Sequence, residues 1–233
     1  MEQFTMEKFN DRYEAGKIIA AQLKEYANKP DVIVLALPRG GVPVGYEIAK
    51  ALTLPLDVFI VRKLGVPGHE ELAMGAIATG GTTIFNEEII DDLHISQSAI
   101  ELTLHAEQEE LKRREISYRD NRPFPNLQGK TVILVDDGIA TGATMRAAIK
   151  AILQRKPAAI ILAVPVIALS TYNEMSALVN KIVCSLKPLN FYAVGLWYDD
   201  FSQTTDSEVS DLLKASQKNE ESTSSSIAGV RHE

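Results

Sequence analysis

Asp136 and Asp137 stand side by side directly after the apolar run Val132-Ile133-Leu134-Val135, and the loop Gly138-Ile139-Ala140-Thr141-Gly142-Ala143-Thr144 follows at once. A buried strand that runs into two carboxylates, then small and hydroxyl residues, then a helical pattern, has the makings of a site. Open α/β sheets bind their ligands at the carboxyl ends of strands. Two adjacent anions repel a phosphate, but they accept hydrogen bonds from the hydroxyls of a sugar diol. Gly138 and Gly142 let backbone N–H groups turn inward, Thr141 and Thr144 add hydroxyl donors, and the next helix presents its positive end. One helix terminus contributes only about 0.3–1 kcal/mol at an exposed site, so several convergent donors must supply most of the affinity. A capping Asp137 and a solvated Asp136 would account for the two acids alone, but not for the loop behind them.

Two further loops carry polar chemistry. Pro38-Arg39-Gly40-Gly41 follows the apolar run 32–37 and leads into a helical pattern. Arg62 and Lys63 open the stretch Leu64-Gly65-Val66-Pro67-Gly68-His69-Glu70-Glu71, a Gly/Pro-containing loop able to close over a site and exclude water. His69 is the histidine nearest these loops, and His94, His105 and His232 show no metal-ligand spacing.

The elements that must position these loops are legible as periods. Continuous apolar runs at 32–37, 56–61, 131–135, 159–164 and 191–196 suit parallel strands buried on both faces. Helical patterns lie between them at 42–52, 143–153 and 170–180, and an earlier helix spans about 7–27. That alternation predicts an α/β fold with a doubly wound parallel sheet. Residues 73–79 and 82–85 flank Gly80-Gly81 as a hairpin. Residues 96–119 form a long charged helix with Glu109/Arg113 and Glu110/Arg114 spaced four apart. A last helix is expected at 206–213, and the Ser-, Lys- and Glu-rich stretch 214–233 is expected to be disordered.

Composition narrows the class. The chain has 233 residues, 45% hydrophobic and 24% charged, which suits one globular domain. A net charge of −7 disfavours nucleic-acid partners. Cys184 is the one cysteine, so no disulfide forms within the chain. The N-terminus lacks an apolar signal core, and the longest apolar run, 158–169, is interrupted by Pro165 and too short to span a bilayer. The expectation is a cytoplasmic protein with no membrane contact.

Four apolar residues, two acids and a small loop ending Thr-Gly-x-Thr resemble the motif by which type I phosphoribosyltransferases bind 5-phosphoribosyl-1-pyrophosphate (PRPP). The resemblance implies a Rossmann-like core at about 30–165, a hood subdomain from 1–29 and 186–213, and a flexible hairpin loop, together one domain over 1–213. It also implies transfer of phosphoribosyl from PRPP to a nitrogenous base, with pyrophosphate as product. Asp136 and Asp137 would hold the ribose hydroxyls, with Gly138 beside them and Ala140, Thr141, Gly142, Ala143 and Thr144 on the 5′-phosphate. Arg39, Gly40 and Gly41 resemble the pyrophosphate loop, where the family often carries a cis non-proline peptide. Arg62 and Lys63 are similar to the start of the flexible loop. Lys63, Asp137 and Arg39 are therefore the residues implied in catalysis. Tyr192 and Trp197 match a base-stacking hood. Asp199, with Asp136 and Asp137, matches positions near Mg²⁺, and a homodimer is the family's common state. The pattern departs at Ala140 and Ala78, where related purine enzymes carry proton-handling carboxylates; Glu70 and Glu71 are the substitutes within reach. Those alanines keep open a PRPP-binding regulator without turnover.

Overall fold

The computed structural model describes residues 8–229. Helix α1 (Arg12–Gln22) begins where the Asp11 side chain accepts the Glu14 N–H at 2.7 Å. It leads through a short 3-10 turn to strand β1 (Val32–Ala36), every residue of which is buried. Helix α2 (Gly41–Leu52) ends as Thr53 turns left-handed, with φ 54°. Strand β2 (Leu56–Val58) is followed by β3 (Val61–Val66), β4 (His69–Ala78) and β5 (Thr82–Phe85), then by helices α3 (Glu87–Asp92) and α4 (Gln97–Arg119). Strand β6 (Thr131–Val135), helix α5 (Ala143–Leu153), strand β7 (Ala159–Val166), helix α6 (Leu169–Met175), strand β8 (Lys181–Leu186) and helix α7 (Asp206–Gly229) complete the order.

Five strands form one parallel sheet in the order β2-β1-β6-β7-β8. Its two faces are covered separately. One core joins Ile19, Ile48 and Leu52 of α1 and α2 to Val34, Ile133 and Val209; the other joins Met145, Ile149 and Ile152 of α5 to Leu35, Leu134 and Leu162. Successive residues of β1 and β6 thus feed opposite cores, which is why their sequences are apolar throughout rather than alternating. Strand order reverses between β1 and β6, so the loops after these two strands open side by side at the carboxyl edge.

A second, antiparallel sheet runs β3-β4-β5. The apolar stretch 56–61 therefore does not make one strand. The parallel ladder ends at Val58, and Val61 opens the second sheet, paired with Ala78. The expected loop after Lys63 is a β3–β4 hairpin turning at Pro67-Gly68, and Gly80-Gly81 lie in the turn between β4 and β5.

Three other expectations are corrected. Residues 191–196 are not a strand: the fifth parallel strand is β8, and Val194–Trp197 makes a 3-10 turn. The apolar content of that stretch serves a small hood cluster of Phe9, Ala15, Val166, Trp197 and Tyr198, with Phe191, Val194 and Phe201 packed against it. Residues 206–213 do not join that hood; Val209 and Leu213 are buried in the core beside α2. Composition suggests disorder after 214, yet α7 continues to Gly229, with Ser216 still buried. His232 lies outside the described residues. Among the described residues no helix is long and apolar enough to cross a membrane.

Candidate functional site

The two loops at the switch point touch. The Leu37 N–H donates to the Val135 carbonyl at 2.9 Å, which carries the β1–β6 pairing one step past the strands. The Pro38–Arg39 peptide is cis, and Gly41 N–H returns to the Leu37 carbonyl at 3.0 Å. This tight loop brings Gly40 and Gly41 onto the twin acids. A Cβ at Gly40 would lie 2.0 Å from Asp137 Oδ2, and one at Gly41 would lie 2.9 Å from Asp136 Cα and from the Val135 carbonyl. Both positions need glycine because the acids occupy the space a side chain would take.

Asp136 and Asp137 also hold each other, the Asp137 N–H donating to Asp136 Oδ1 at 2.9 Å. Burial, then the charge of Asp137, pushes the Asp136 carboxyl well above the ordinary aspartate range. Burial likewise raises Asp137, but there Arg12 opposes it. Arg12, the first residue of α1, is itself buried, and its Nε donates to Asp137 Oδ2 at 2.8 Å. The Tyr198 hydroxyl donates to the Asp137 carbonyl oxygen. Arg12 has no motif around it and Tyr198 lies in the hood stretch without an assigned role, so only the fold brings them to the acids.

Behind the acids, residues 138–144 curl into α5. Ile139 bridges to Ile167, donating to the Val166 carbonyl and accepting from Ala168, each at 3.0 Å. The Thr171 hydroxyl donates to the Ala140 carbonyl. Gly142 caps α5 at φ 75°, and a Cβ there would strike the Met175 and Thr171 side chains. Thr141, Ala143 and Thr144 remain exposed around this turn. The cradle is thus pinned from below by β7 and α6 and open above. Arg146, one turn into α5, lies beside Gly142 and pairs with Glu174 at 2.9 Å.

The remaining expected residues fall in three places. Arg39 is partly exposed, its guanidinium 3.9 Å from Asp206 at the start of α7. Lys63 is exposed on β3 and lines a cleft of about 570 Å³ between the antiparallel sheet and α5, shared with Thr144, Arg146 and Lys150. Arg62, its neighbour, faces the other way and is bound to Glu107 of α4 at 2.7 Å, so it does not accompany Lys63. In the hood, Tyr192 is 84% exposed, whereas Trp197 is 7% exposed and stacked on Phe191 at 6.2 Å. Trp197 is therefore hood core and offers no face to a base. Asp199 is exposed on the segment that pairs with Phe9, and among the described residues no three His, Cys, Asp or Glu side chains gather as metal ligands. Asp199 thus does not join Asp136 and Asp137 in one metal group.

The hood also reaches the cradle at Gly138. Val194 packs so closely on Gly138 that a Cβ there would lie 2.5 Å from its Cγ1.

A family model described as a phosphoribosyl transferase domain matches residues 7–196, which includes every part of this site up to the hood turn. The chain belongs to the phosphoribosyl transferase domain family. Within that family it is 41% identical, over 88% of its length, to a Mycobacterium tuberculosis (strain H37Rv) protein named provisionally as a phosphoribosyl transferase. It spans 46% of that relative, about half its length. It is 31% identical to the bifunctional protein PyrR of Brevibacillus brevis over half of the chain and 67% of that protein. Among solved structures it resembles TT1426 from Thermus thermophilus, with a TM-score of 0.77 and 37% identity over 88% of this chain and 97% of that one. The phosphoribosyl transferase domain here is thus an α/β unit, a five-stranded parallel sheet beside a separate antiparallel sheet.

Proposed function

We propose that this domain transfers the 5-phosphoribosyl group from PRPP to a nitrogenous base and releases pyrophosphate. The observation that carries the reading is the meeting of two glycine-bearing loops at the switch point, one supplying the twin acids and the phosphate cradle, the other a cation and close backbone. Asp136 and Asp137 hold the ribose hydroxyls, and 140–144 holds the 5′-phosphate. Arg39, Gly40 and Gly41 hold pyrophosphate, and Lys63 answers its charge as it leaves. Exposed Tyr192 is the hood residue left to stack on a base. The protein's share of the chemistry is positioning and charge stabilisation.

Magnesium would arrive with PRPP. Mg²⁺ typically takes one or two carboxylates together with substrate phosphates, not a protein cage. Asp136 and Asp137 fit that role, since burial raises both acids and the charge of Asp137 raises Asp136 further, a cost that a nearby cation would relieve. Among the described residues they stand without a third metal-ligating side chain. We place the protein in the cytoplasm as a homodimer on the same reading.

Asp136→Asn and Asp137→Asn should each weaken Mg·PRPP binding by roughly 1.5–3 kcal/mol, the range for hydrogen bonds to charged groups. Titration calorimetry measures this, and unchanged affinity in both variants removes the ribose assignment. Incubating the protein with Mg·PRPP and a panel of purine and pyrimidine bases, with pyrophosphate as readout, tests turnover and names the acceptor.

One observation favours a second reading, PRPP binding without turnover. Residues 78 and 140 are both alanine, so neither place offers a carboxylate to the base proton. PRPP binding with no pyrophosphate from any base would decide for it.

A further inference from the structure

Arg12 ties the Asp137 side chain to the segment that follows the hood turn. Its Nε donates to Asp137 Oδ2 and its Nη1 to the Ser202 carbonyl, each at 2.8 Å. Its guanidinium lies 3.8 Å from the centre of the Phe201 ring and 6.0 Å from that of Tyr198. Arg12 and the Asp137 side chain are 10% and 14% exposed, so this is a largely desolvated pair. Ser202, Phe201 and Tyr198 belong to the segment that follows the hood turn, and Tyr198 also holds the Asp137 main chain.

From this geometry we infer that Arg12 is a positioning residue for sugar binding, a planar fork that fixes the Asp137 carboxylate against the hood segment 198–202. The inference rests on the proposed ribose role of Asp137 and adds to it the group that aims that acid. Two directed donors and a stacked face are what guanidinium supplies and ammonium does not. One fork prong sets which carboxylate oxygen is occupied, so a ribose hydroxyl meets Asp137 in one orientation. The other prong ties that orientation to the hood backbone. A shift of the hood relative to the sheet would therefore be felt at the sugar through Arg12.

The test is titration calorimetry of Mg·PRPP into the parent protein, Arg12→Lys, Arg12→Met and Arg12→Met/Asp137→Asn, with the melting temperature of each recorded without ligand. Arg12→Met is expected to bind roughly 10- to 100-fold more weakly, the span of a charge-assisted hydrogen bond. Arg12→Lys should fall between, because one ammonium can serve Asp137 or the Ser202 carbonyl but lacks the fork. Asp137→Asn should cost much less in the Arg12→Met background than in the parent, since the acid is already mis-aimed. Parent-like affinity in Arg12→Met, or an undiminished cost of Asp137→Asn beside it, overturns the inference and leaves Arg12 a packing residue. If Arg12→Met does not fold, Arg12→Lys decides, and parent-like affinity there overturns it equally. A parent that takes no PRPP brings down the reading of the site and this inference together, whereas a binding parent beside an indifferent variant brings down this inference alone.

Discussion

Arg119→Met is expected to destabilise the fold by about 3–5 kcal/mol, the cost of removing one partner from a buried ion pair. Arg119 is 3% exposed at the end of α4. Its Nε donates to Asp57 Oδ1 at 2.8 Å, its Nη2 to the Val58 carbonyl at 2.6 Å and its Nη1 to Glu115 at 3.2 Å, while its face lies 4.9 Å from the Phe124 ring centre. Asp57 also accepts the Val58 N–H at 2.7 Å, so the pair clamps the end of β2, where the chain leaves the parallel sheet for the antiparallel one. Methionine fills much of the volume but leaves Asp57 a buried charge without its partner. Urea unfolding followed by circular dichroism measures the loss. Adding Asp57→Leu to Arg119→Met should recover most of it, because a buried ion pair exchanged whole for apolar groups is often close to neutral. A single variant within about 1 kcal/mol of the parent, less than a buried pair requires, would show that the clamp contributes little.

Gly40→Ala should reduce Mg·PRPP affinity on the order of 10- to 100-fold while leaving the protein folded, the span for losing one hydrogen bond to a charged group. The new Cβ would sit 2.0 Å from Asp137 Oδ2 and 2.6 Å from its Cγ, so loop and carboxylate must part by more than an ångström. Asp137 cannot yield cheaply, because Arg12 and Tyr198 hold its side chain and carbonyl. The loop that parts from it carries the proposed pyrophosphate contacts. Gly129→Ala is the matched control: a Cβ there meets nothing within 4 Å, so only its φ of 72° is strained. That variant should lose a little stability and no affinity. Equal affinities for Gly40→Ala and the parent would mean that the two loops do not form one site.

Much of this is readable from residue order, and the reasons differ by place. Strands β1, β6 and β7 announce themselves because burial on both faces leaves no polar positions, and the loop after β6 carries its chemistry in consecutive residues. Strand β8 does not. Its first residue, Lys181, is exposed and only Val183 is fully buried, as suits a sheet edge, so the more apolar stretch 191–196 attracts the assignment instead. That stretch is apolar because it packs around Trp197, and local pattern cannot distinguish packing in a small cluster from pairing in a ladder. Arg62 and Lys63 look alike in sequence, but alternation along β3 sends one to Glu107 and the other to the cleft beside Thr144. Arg12 is invisible for a different reason. An arginine opening a helix is ordinary, and its partners Asp137 and Ser202 lie 125 and 190 positions away.

Those separations bear on the order in which the molecule acquires its parts. The α5 helix and the β3–β4 hairpin are local and can form early, whereas the Arg12 fork closes loops spanning most of the chain. The carboxylate is therefore aimed only after the sheet and the segment behind it are in place. In refolding from urea, competence to take up PRPP should return after the far-ultraviolet signal of the helices, not with it.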